Sequence, residues 1–299
     1  MNSDQNSQLV ANVDMMQSKL RFESVSAHRR AYYKLGEIPN RYAIEKSGSC
    51  VLMLCCQVIV NKSHLSVAVF GICKDLRTYI IDYWRFEDED CTELNSPVWD
   101  RLSALIKDTI YVADDGKTYK MAITLIDAGY ANDTVTTFCA DYSSGVYPIL
   151  GRDRPGKNQT IKGFSEFKTQ AGTAGYKINV NHYKDRLDSV LRREWLEDSG
   201  PQNIYHFNAA IDIPDKHLKE LTVEIRKKVH DNNGNERDVW CNPKNARNEL
   251  RCLLVYCHAS VEIMARSVCI EYFNLEKIDW FLFWDCIEMY KRFFDDPIL

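Results

Sequence analysis

The sequence predicts an α/β fold in which helices flank a mixed β-sheet, and three observations support this. A continuous apolar run of strand length occupies residues 51–60. Two β-forming segments, 64–72 and 77–84, follow it closely, which is typical of an antiparallel meander. A further apolar run at 122–127 ends in one acid, Asp127, which is followed by a small residue and a glycine. This run places a carboxylate at the carboxyl end of a buried strand, where open α/β sheets gather ligands.

The rest of the chain alternates between helical and strand patterns. Apolar residues at helical spacing between Val98 and Ile106 predict a helix at 96–110. Further elements are predicted as helices at 132–141, 182–196 and 245–265 and as strands at 145–150, 221–230 and 238–240. An Asn-Asn-Gly turn joins the last two strands, and residues 151–173, rich in Gly, Lys and Arg, are predicted to form a loop. The order strand, strand, strand, helix, strand, helix, strand is that of an RNase H-like sheet.

Length and composition indicate a soluble globular protein. The chain has 299 residues, of which 45% are hydrophobic and 27% charged, and its net charge of -4 is mild. No apolar run approaches the length of about 18 residues that crosses a bilayer, and the polar N-terminus lacks a signal-peptide core. The 11 Cys residues, many of them inside apolar runs, indicate reduced packing thiols. We therefore expect a cytoplasmic protein that contacts no membrane.

The pattern divides the chain into three parts. A polar, helical leader is predicted at 1–48, the main domain at 49–265, and an aromatic helical tail at 266–299. The tail carries apolar side chains that are unsuited to water, namely Trp280, Phe281, Phe283, Trp284, Ile287, Tyr290 and Phe294. Either they pack on the main domain or they dock on a partner.

Several short motifs carry a resemblance to a known family. They are TYIIDYW at 78–84, IDAG at 126–129, VYPILGRDRPG at 146–156, IYHFN at 204–208 and VWCNPKNARNEL at 239–250. In this order, between about Arg29 and Ala265, they resemble the nuclease domain of lambda-type (gpA family) phage terminase large subunits. The resemblance implies an RNase H-like DNA endonuclease that uses Mg²⁺ or Mn²⁺ and acts on double-stranded DNA. It also implies other terminase subunits or the capsid portal as partners, and the bacterial host cytoplasm as the location if a phage encodes the chain.

In this family three acids hold two divalent metal ions, and the resemblance indicates which positions they would occupy here. The first acid lies in a pattern like GVDVQ, where this chain reads QVIVN and has Ile59. The second lies in the IDSG-like motif, which here keeps Asp127. The third lies in a pattern like RNEALD, where this chain reads RNELRC and has Cys252. An isoleucine cannot bind a metal and a thiolate suits Mg²⁺ poorly, so the site is expected to be depleted.

Two other acids are candidates to complete the site. Asp82 lies on a strand next to the sheet edge, and Glu249 precedes Cys252 by one helical turn. The candidate catalytic residues are therefore Asp127, Glu249 and Asp82, with Asp127 as the metal ligand. For Glu249 the alternative is a structural role, as a glutamate at the start of a helix where the helix dipole stabilises its negative charge. For Asp127 the alternative is that it is an inherited polar residue at the end of a strand and binds no metal.

A basic stretch in the middle of the chain is the candidate DNA surface. An excess of Lys and Arg between residues 152 and 193 can neutralise backbone phosphates without reading sequence. The candidate DNA-binding residues are Arg152, Arg154, Lys157, Lys184, Arg186, Arg192 and Arg193. A merely solvated surface is the alternative for each of them. The run at 151–158 lacks the Ser or Thr that a phosphate-binding loop needs after its lysine, so ATP binding is not expected.

Two classes of function remain open at this point. In the first, the chain is a metal-dependent endonuclease with a reduced site and retained DNA binding. In the second, it is a non-catalytic DNA-binding or assembly protein that kept the nuclease fold.

Overall fold

The computed structural model describes residues 51–74, 76, 78–112, 118–152, 163–191, 207–209, 215–230 and 236–295. The predicted leader at 1–48 lies outside these residues, and so do Arg154, Lys157, Arg192 and Arg193.

Within the described residues, one eight-stranded mixed sheet forms the centre of the fold. Its strands are β1 (Val51–Val60), β2 (His64–Cys73), β3 (Thr78–Glu87), β6 (Met121–Asp127), β7 (Val146–Arg152), β8 (Phe164–Lys168), β9 (Ala174–Asn179) and β10 (Phe207–Ala209). The spatial order is β10-β3-β2-β1-β6-β7-β9-β8. β1, β2 and β3 form the predicted antiparallel meander, and β6 and β7 continue the sheet in parallel beside β1. The prediction of an RNase H-like α/β sheet is confirmed.

Two short strand pairs lie outside this sheet. β4 (Tyr111–Val112) pairs with β5 (Thr118–Tyr119), and β11 (Ile225–His230) pairs with β12 (Glu236–Cys241). The second pair is the predicted hairpin, but its first strand begins at Ile225 because Lys219–Thr222 forms a 3₁₀ turn.

The helices cover both faces of the sheet. They are α1 (Pro97–Lys107), α2 (Asn132–Ala140), α3 (Val180–Leu191), α4 (Asp215–Leu218), α5 (Glu249–Arg266) and α6 (Trp280–Asp295). Alternating side chains of β1 enter two separate cores, so that Cys55 packs with α5 and α6, while Cys56 packs with α1 and α2. The candidate functional residues must therefore be assigned to one face or the other.

Two sequence predictions about boundaries are wrong. Residues 164–168, assigned to a loop, form β8 and pair antiparallel with β9. The local composition is a poor guide there because strand stability comes mostly from cross-strand neighbours. The long helix starts at Glu249 rather than at residue 245, because Asn245 has a φ of 47°, which an α-helix does not accommodate.

The C-terminal tail packs on the domain, which is the first of the two alternatives that the sequence leaves open. Phe283, Trp284 and Ile287 of α6 are buried in the same core as α5. The expectation that every tail aromatic avoids water is wrong for Phe281, which is 78% exposed. It lies on the side of the helix away from the core.

The α5 helix continues as a π-helical segment (Ser267–Tyr272). The combined run Glu249–Tyr272 is long and apolar enough to cross a membrane by length and composition alone. Most of its apolar window is buried inside the fold, as expected of the central helix of a globular domain.

Candidate active site

A row of three adjacent residues crosses the sheet at the carboxyl end of β6. Asp127 pairs with Ile59 on β1, and Ile59 pairs with Ser66 on β2. Paired residues point to the same face of a sheet, and here that face is the one covered by α5. The structure thus brings Asp127 next to Ile59, the first of the two positions where an acid was expected.

Both oxygens of the Asp127 carboxylate are engaged by donors of the chain itself. The hydroxyl of Tyr256 donates to Oδ2 at 2.6 Å, and the backbone N–H of Gly129 donates to Oδ1 at 2.9 Å. Burial raises the pKa of Asp127, and these two hydrogen bonds oppose the rise only in part. The carboxylate is therefore held by protein donors in a poorly hydrated place.

Tyr256 is a site residue that the sequence reasoning missed. It lies on α5, four residues after Cys252, and it is buried. Burial and the neighbouring Asp127 carboxylate hold the pKa of Tyr256 well above its ordinary value, so the hydroxyl keeps its proton and remains a donor. The sequence could have indicated Tyr256, because residues i and i+4 of a helix share a face and the motif already assigned Cys252 to the site.

Cys252 also faces the site but offers no charge there. Burial raises the pKa of its thiol to about 12, although Lys184 lowers it in part. At neutral pH the group is therefore a neutral thiol. Ile59 packs against the core of the same face. Neither residue supplies the anionic oxygen that the resemblance led us to expect at these positions.

Glu249, the first residue of α5, lies at the other end of the row. Ser66 donates a hydrogen bond to its Oε2, His64 Nε2 lies 3.1 Å from Oε1, and Arg247 contacts Oε2 at 2.5 Å. Burial alone would raise its pKa, but the bond from Ser66 and the charge of Arg247 outweigh that effect and lower it. Glu249 is thus an ionised acid that already has several partners.

Asp82 lies on the opposite face of the sheet. It pairs with Val69, whose side chain is in the core beneath α1 and α2, and it is fully buried. The hydroxyl of Tyr111 donates to its Oδ2 at 3.3 Å. A register shift in β3 next to this pair changes the alternation of its side chains. The structure therefore does not bring Asp82 to Asp127.

The basic candidates divide into exposed and internal residues. Arg152 is exposed at the end of β7, and Arg186 is half-buried on α3, where its charge acts on His258. Lys184 is internal, and its Nζ lies 2.8 Å from Oε2 of Glu224, with the two side chains 14% and 2% exposed. Lys184 thus neutralises a buried acid.

Glu224 is the second site residue that the sequence did not reveal. Besides Lys184, it accepts a hydrogen bond from Asn248 at 2.5 Å and lies 3.6 Å from the Nε of the buried Arg251. Its negative charge raises the pKa of Cys252. Its position one residue before β11 gives no pattern that separates it from an ordinary surface glutamate.

The chain matches the family model described as "Terminase large subunit gpA, endonuclease domain" over residues 14–280. This span covers most of the 299 residues and exceeds the motif-bearing stretch at both ends. The chain belongs to the terminase gpA endonuclease-domain family. No curated protein and no solved structure matches it significantly.

Terminase nuclease domains of this type use divalent metal ions, so the residues present must be tested against such a site. Among the residues that the structure describes, no group of three or more His, Cys, Asp or Glu side chains is placed to hold a metal ion. Ile59 and Cys252 contribute no anionic oxygen, which leaves Asp127 as the one acid among the three expected positions. Hard cations need several oxygen ligands. The described residues of this terminase domain do not fit the two-metal site.

Proposed function

We propose that this chain is a terminase-type nuclease domain that binds double-stranded DNA but has weak or absent endonuclease activity. The observation that carries the proposal is that the neighbours of Asp127, Ile59 on β1 and the neutral thiol of Cys252, supply no anionic oxygen. Mg²⁺ or Mn²⁺ remains the cofactor for any residual cleavage.

The energetics support a depleted site. A cation at Oδ2 of Asp127 would share that oxygen with the Tyr256 hydroxyl, and its only charged ligand from the three family positions would be this one carboxylate. It would then find a neutral isoleucine and a neutral thiol on either side. Two-metal catalysis requires ions that clamp both the attacking and the leaving oxygens. One carboxylate that is already hydrogen-bonded supports that arrangement poorly.

DNA binding is supported by the family and by the exposed end of β7. Arg152 is the last residue of β7, the strand that pairs with β6 beside Asp127, and its exposed side chain can be approached by a phosphate backbone. Lys184 fits this role less well because it is held by Glu224. Binding of this kind is independent of sequence and weakens with salt. We propose a cytoplasmic location, in the bacterial host if a phage encodes the chain, with other terminase subunits or the capsid portal as protein partners.

The second candidate function is a non-catalytic DNA-binding or assembly protein. It is favoured by exposed aromatic side chains near the C-terminal helix, since Tyr272 is 81% and Phe281 78% exposed. Isolated exposed aromatics are common, so they do not decide between the two functions. Absence of cleavage fits both functions, whereas binding to another terminase subunit that is lost in Tyr272→Ala with Phe281→Ala would favour the second.

Metal affinity tests the proposal directly. Isothermal titration of Mn²⁺ into the wild type should show no tight binding. Rebuilding the acids and freeing Asp127, by Ile59→Asp with Cys252→Asp and Tyr256→Phe, should create measurable Mn²⁺ binding. The matched control is Tyr142→Phe, which removes a tyrosine hydroxyl bonded to Ser103 on the other face. Tight binding of two ions by the wild type would contradict the proposal.

A further inference from the structure

A second basic feature lies beside the candidate site, in a part of the chain that the DNA-surface prediction did not include. A pocket of about 300 Å³ opens between the 216–220 turn and the segment that leads into α5. It is called the basic pocket below. Its lining includes Lys216, His217, Lys219, Glu220, Ala246 and Arg247.

The acid in the basic pocket is fully engaged. Glu220 is buried, and its Oε2 accepts the backbone N–H of Leu250 at 2.8 Å, near the start of α5. Its Oε1 lies 2.9 Å from Nδ1 of His217 and 3.1 Å from Nε of Arg247. Glu220 therefore links the 216–220 turn to the start of α5, and Arg247 and the backbone N–H of Leu250 compensate its negative charge.

The cations of the pocket outnumber this single acid. Lys216 and Lys219 are exposed, and neither forms an ion pair with another residue in the described part of the chain. Arg247, whose side chain is one-third exposed, adds a third cation. The backbone N–H of Leu250 at the start of α5 is already bonded to Glu220, so the two exposed lysines supply the positive charge that the acid does not neutralise. The net positive charge of the pocket suits an anion.

The lining of the pocket fits a phosphodiester. Arg and Lys side chains are the usual phosphate partners, and the planar guanidinium can bind two oxygens at once. Val223 and Ala246 add an apolar wall beside these cations. A sugar or base edge can lie against such a wall while its phosphate lies at the cationic rim.

The location of the pocket relates it to nucleic acid. Arg247 contacts both Glu220 and Glu249, and Glu249 is bonded to Ser66 in the row that ends at Asp127. We propose that the basic pocket binds a backbone phosphate of the DNA strand that passes the degenerate site, with Lys216, Lys219 and Arg247 as its ligands. This inference rests on the proposed DNA binding and adds a contact on the β2 side of the row, away from Arg152 on β7.

The test measures binding of a labelled DNA duplex by fluorescence anisotropy over a series of salt concentrations. The variant is Lys216→Ala with Lys219→Ala, since both side chains are exposed and their removal spares the fold. The matched control is Lys107→Ala with Lys120→Ala, which removes equal charge from exposed positions elsewhere. The slope of log K against log salt should fall by about two in the pocket variant, one for each lost phosphate contact. The control should keep the wild-type slope.

The outcomes separate the pocket from the function on which it rests. If the wild type binds DNA and the pocket variant keeps the full slope, the pocket assignment is wrong while DNA binding stands. If the wild type binds no duplex, the proposed function is wrong. Thermal stabilisation by inorganic phosphate, measured in the wild type and in both variants, forms the second arm. Stabilisation that is lost only in the pocket variant, without duplex binding, would assign the pocket to free phosphate and overturn its assignment to DNA.

Discussion

The hydrogen bond between Tyr256 and Asp127 leads to the sharpest stability prediction. The substitution Tyr256→Phe removes one hydroxyl and leaves the ring in place, so it changes the contact with little change in packing. The lost bond is short, at 2.6 Å, and its acceptor is a carboxylate in a poorly hydrated position. Hydrogen bonds to charged groups contribute about 1.5–3 kcal/mol, and a buried acceptor left without its donor adds to the loss. We expect the free energy of unfolding at neutral pH to fall by about 2–3 kcal/mol.

The pH dependence of this loss follows from the pKa of Asp127. Burial raises that pKa above its ordinary value of 3.8, while Tyr256 and Gly129 lower it in part. Removing the hydroxyl removes a lowering contribution, so the pKa of Asp127 in the folded variant rises further. A raised carboxyl pKa makes the folded state less stable once the group must ionise. The destabilisation is therefore complete above the folded pKa and shrinks as pH falls through it, when Asp127 becomes neutral.

The assay is urea denaturation at neutral and acidic pH, with Tyr142→Phe as the matched control. That control removes a neutral hydrogen bond of 3.0 Å to Ser103, for which about 0.5–1.5 kcal/mol is expected at either pH. Two results would refute the reasoning. One is a loss for Tyr256→Phe no larger than that of the control at neutral pH. The other is a loss that does not change on acidification.

Two further predictions compare matched positions. Lys184→Met should lower the free energy of unfolding by about 3–5 kcal/mol in urea denaturation, because it leaves the buried Glu224 without its cation. Arg152→Ala should leave the free energy of unfolding nearly unchanged and should reduce the salt slope of DNA binding by about one. If Lys184→Met lowers the free energy of unfolding no more than Arg152→Ala does, Lys184 and Glu224 do not form a stabilising buried ion pair. Phe283→Ala should lower the free energy of unfolding by about 3–5 kcal/mol, while Phe281→Ala should change it by less than about 0.5 kcal/mol. Equal effects on the two melting curves would show that the tail is not packed as described.

Five strands of the central sheet, β1, β2, β3, β6 and β7, were predictable because local composition marks them. The apolar run of β1 and the apolar end of β6 identify buried strands without reference to the rest of the fold. β8 and β9 were missed because their sequences contain Gly, Lys and Glu, and they are stabilised by pairing with each other and with β7. The pairing of β9 with β7, which is not its neighbour in sequence, leaves no local signal.

The candidate site was predictable only where a motif marked it. Asp127, Ile59 and Cys252 were located by motif position, and the structure places Ile59 beside Asp127. Glu224 and Asp82 show the limit of such reasoning. The partners of Glu224 come from two segments that are distant in sequence, around Lys184 and around residues 248–251, and the face of Asp82 depends on a register shift in β3. Neither feature can be read from local residue patterns.

The most direct test of the central claim is cleavage of supercoiled plasmid DNA by the wild type, measured in parallel with Asp127→Asn. The assay is run with Mg²⁺ and again with Mn²⁺, at a protein concentration at which the wild type binds DNA. We predict that the wild type produces no more nicked or linear DNA than Asp127→Asn in Mg²⁺, and at most slightly more in Mn²⁺. Rapid cleavage by the wild type that Asp127→Asn abolishes would contradict the account, because it would show that Asp127 holds a catalytic metal despite its bond to Tyr256.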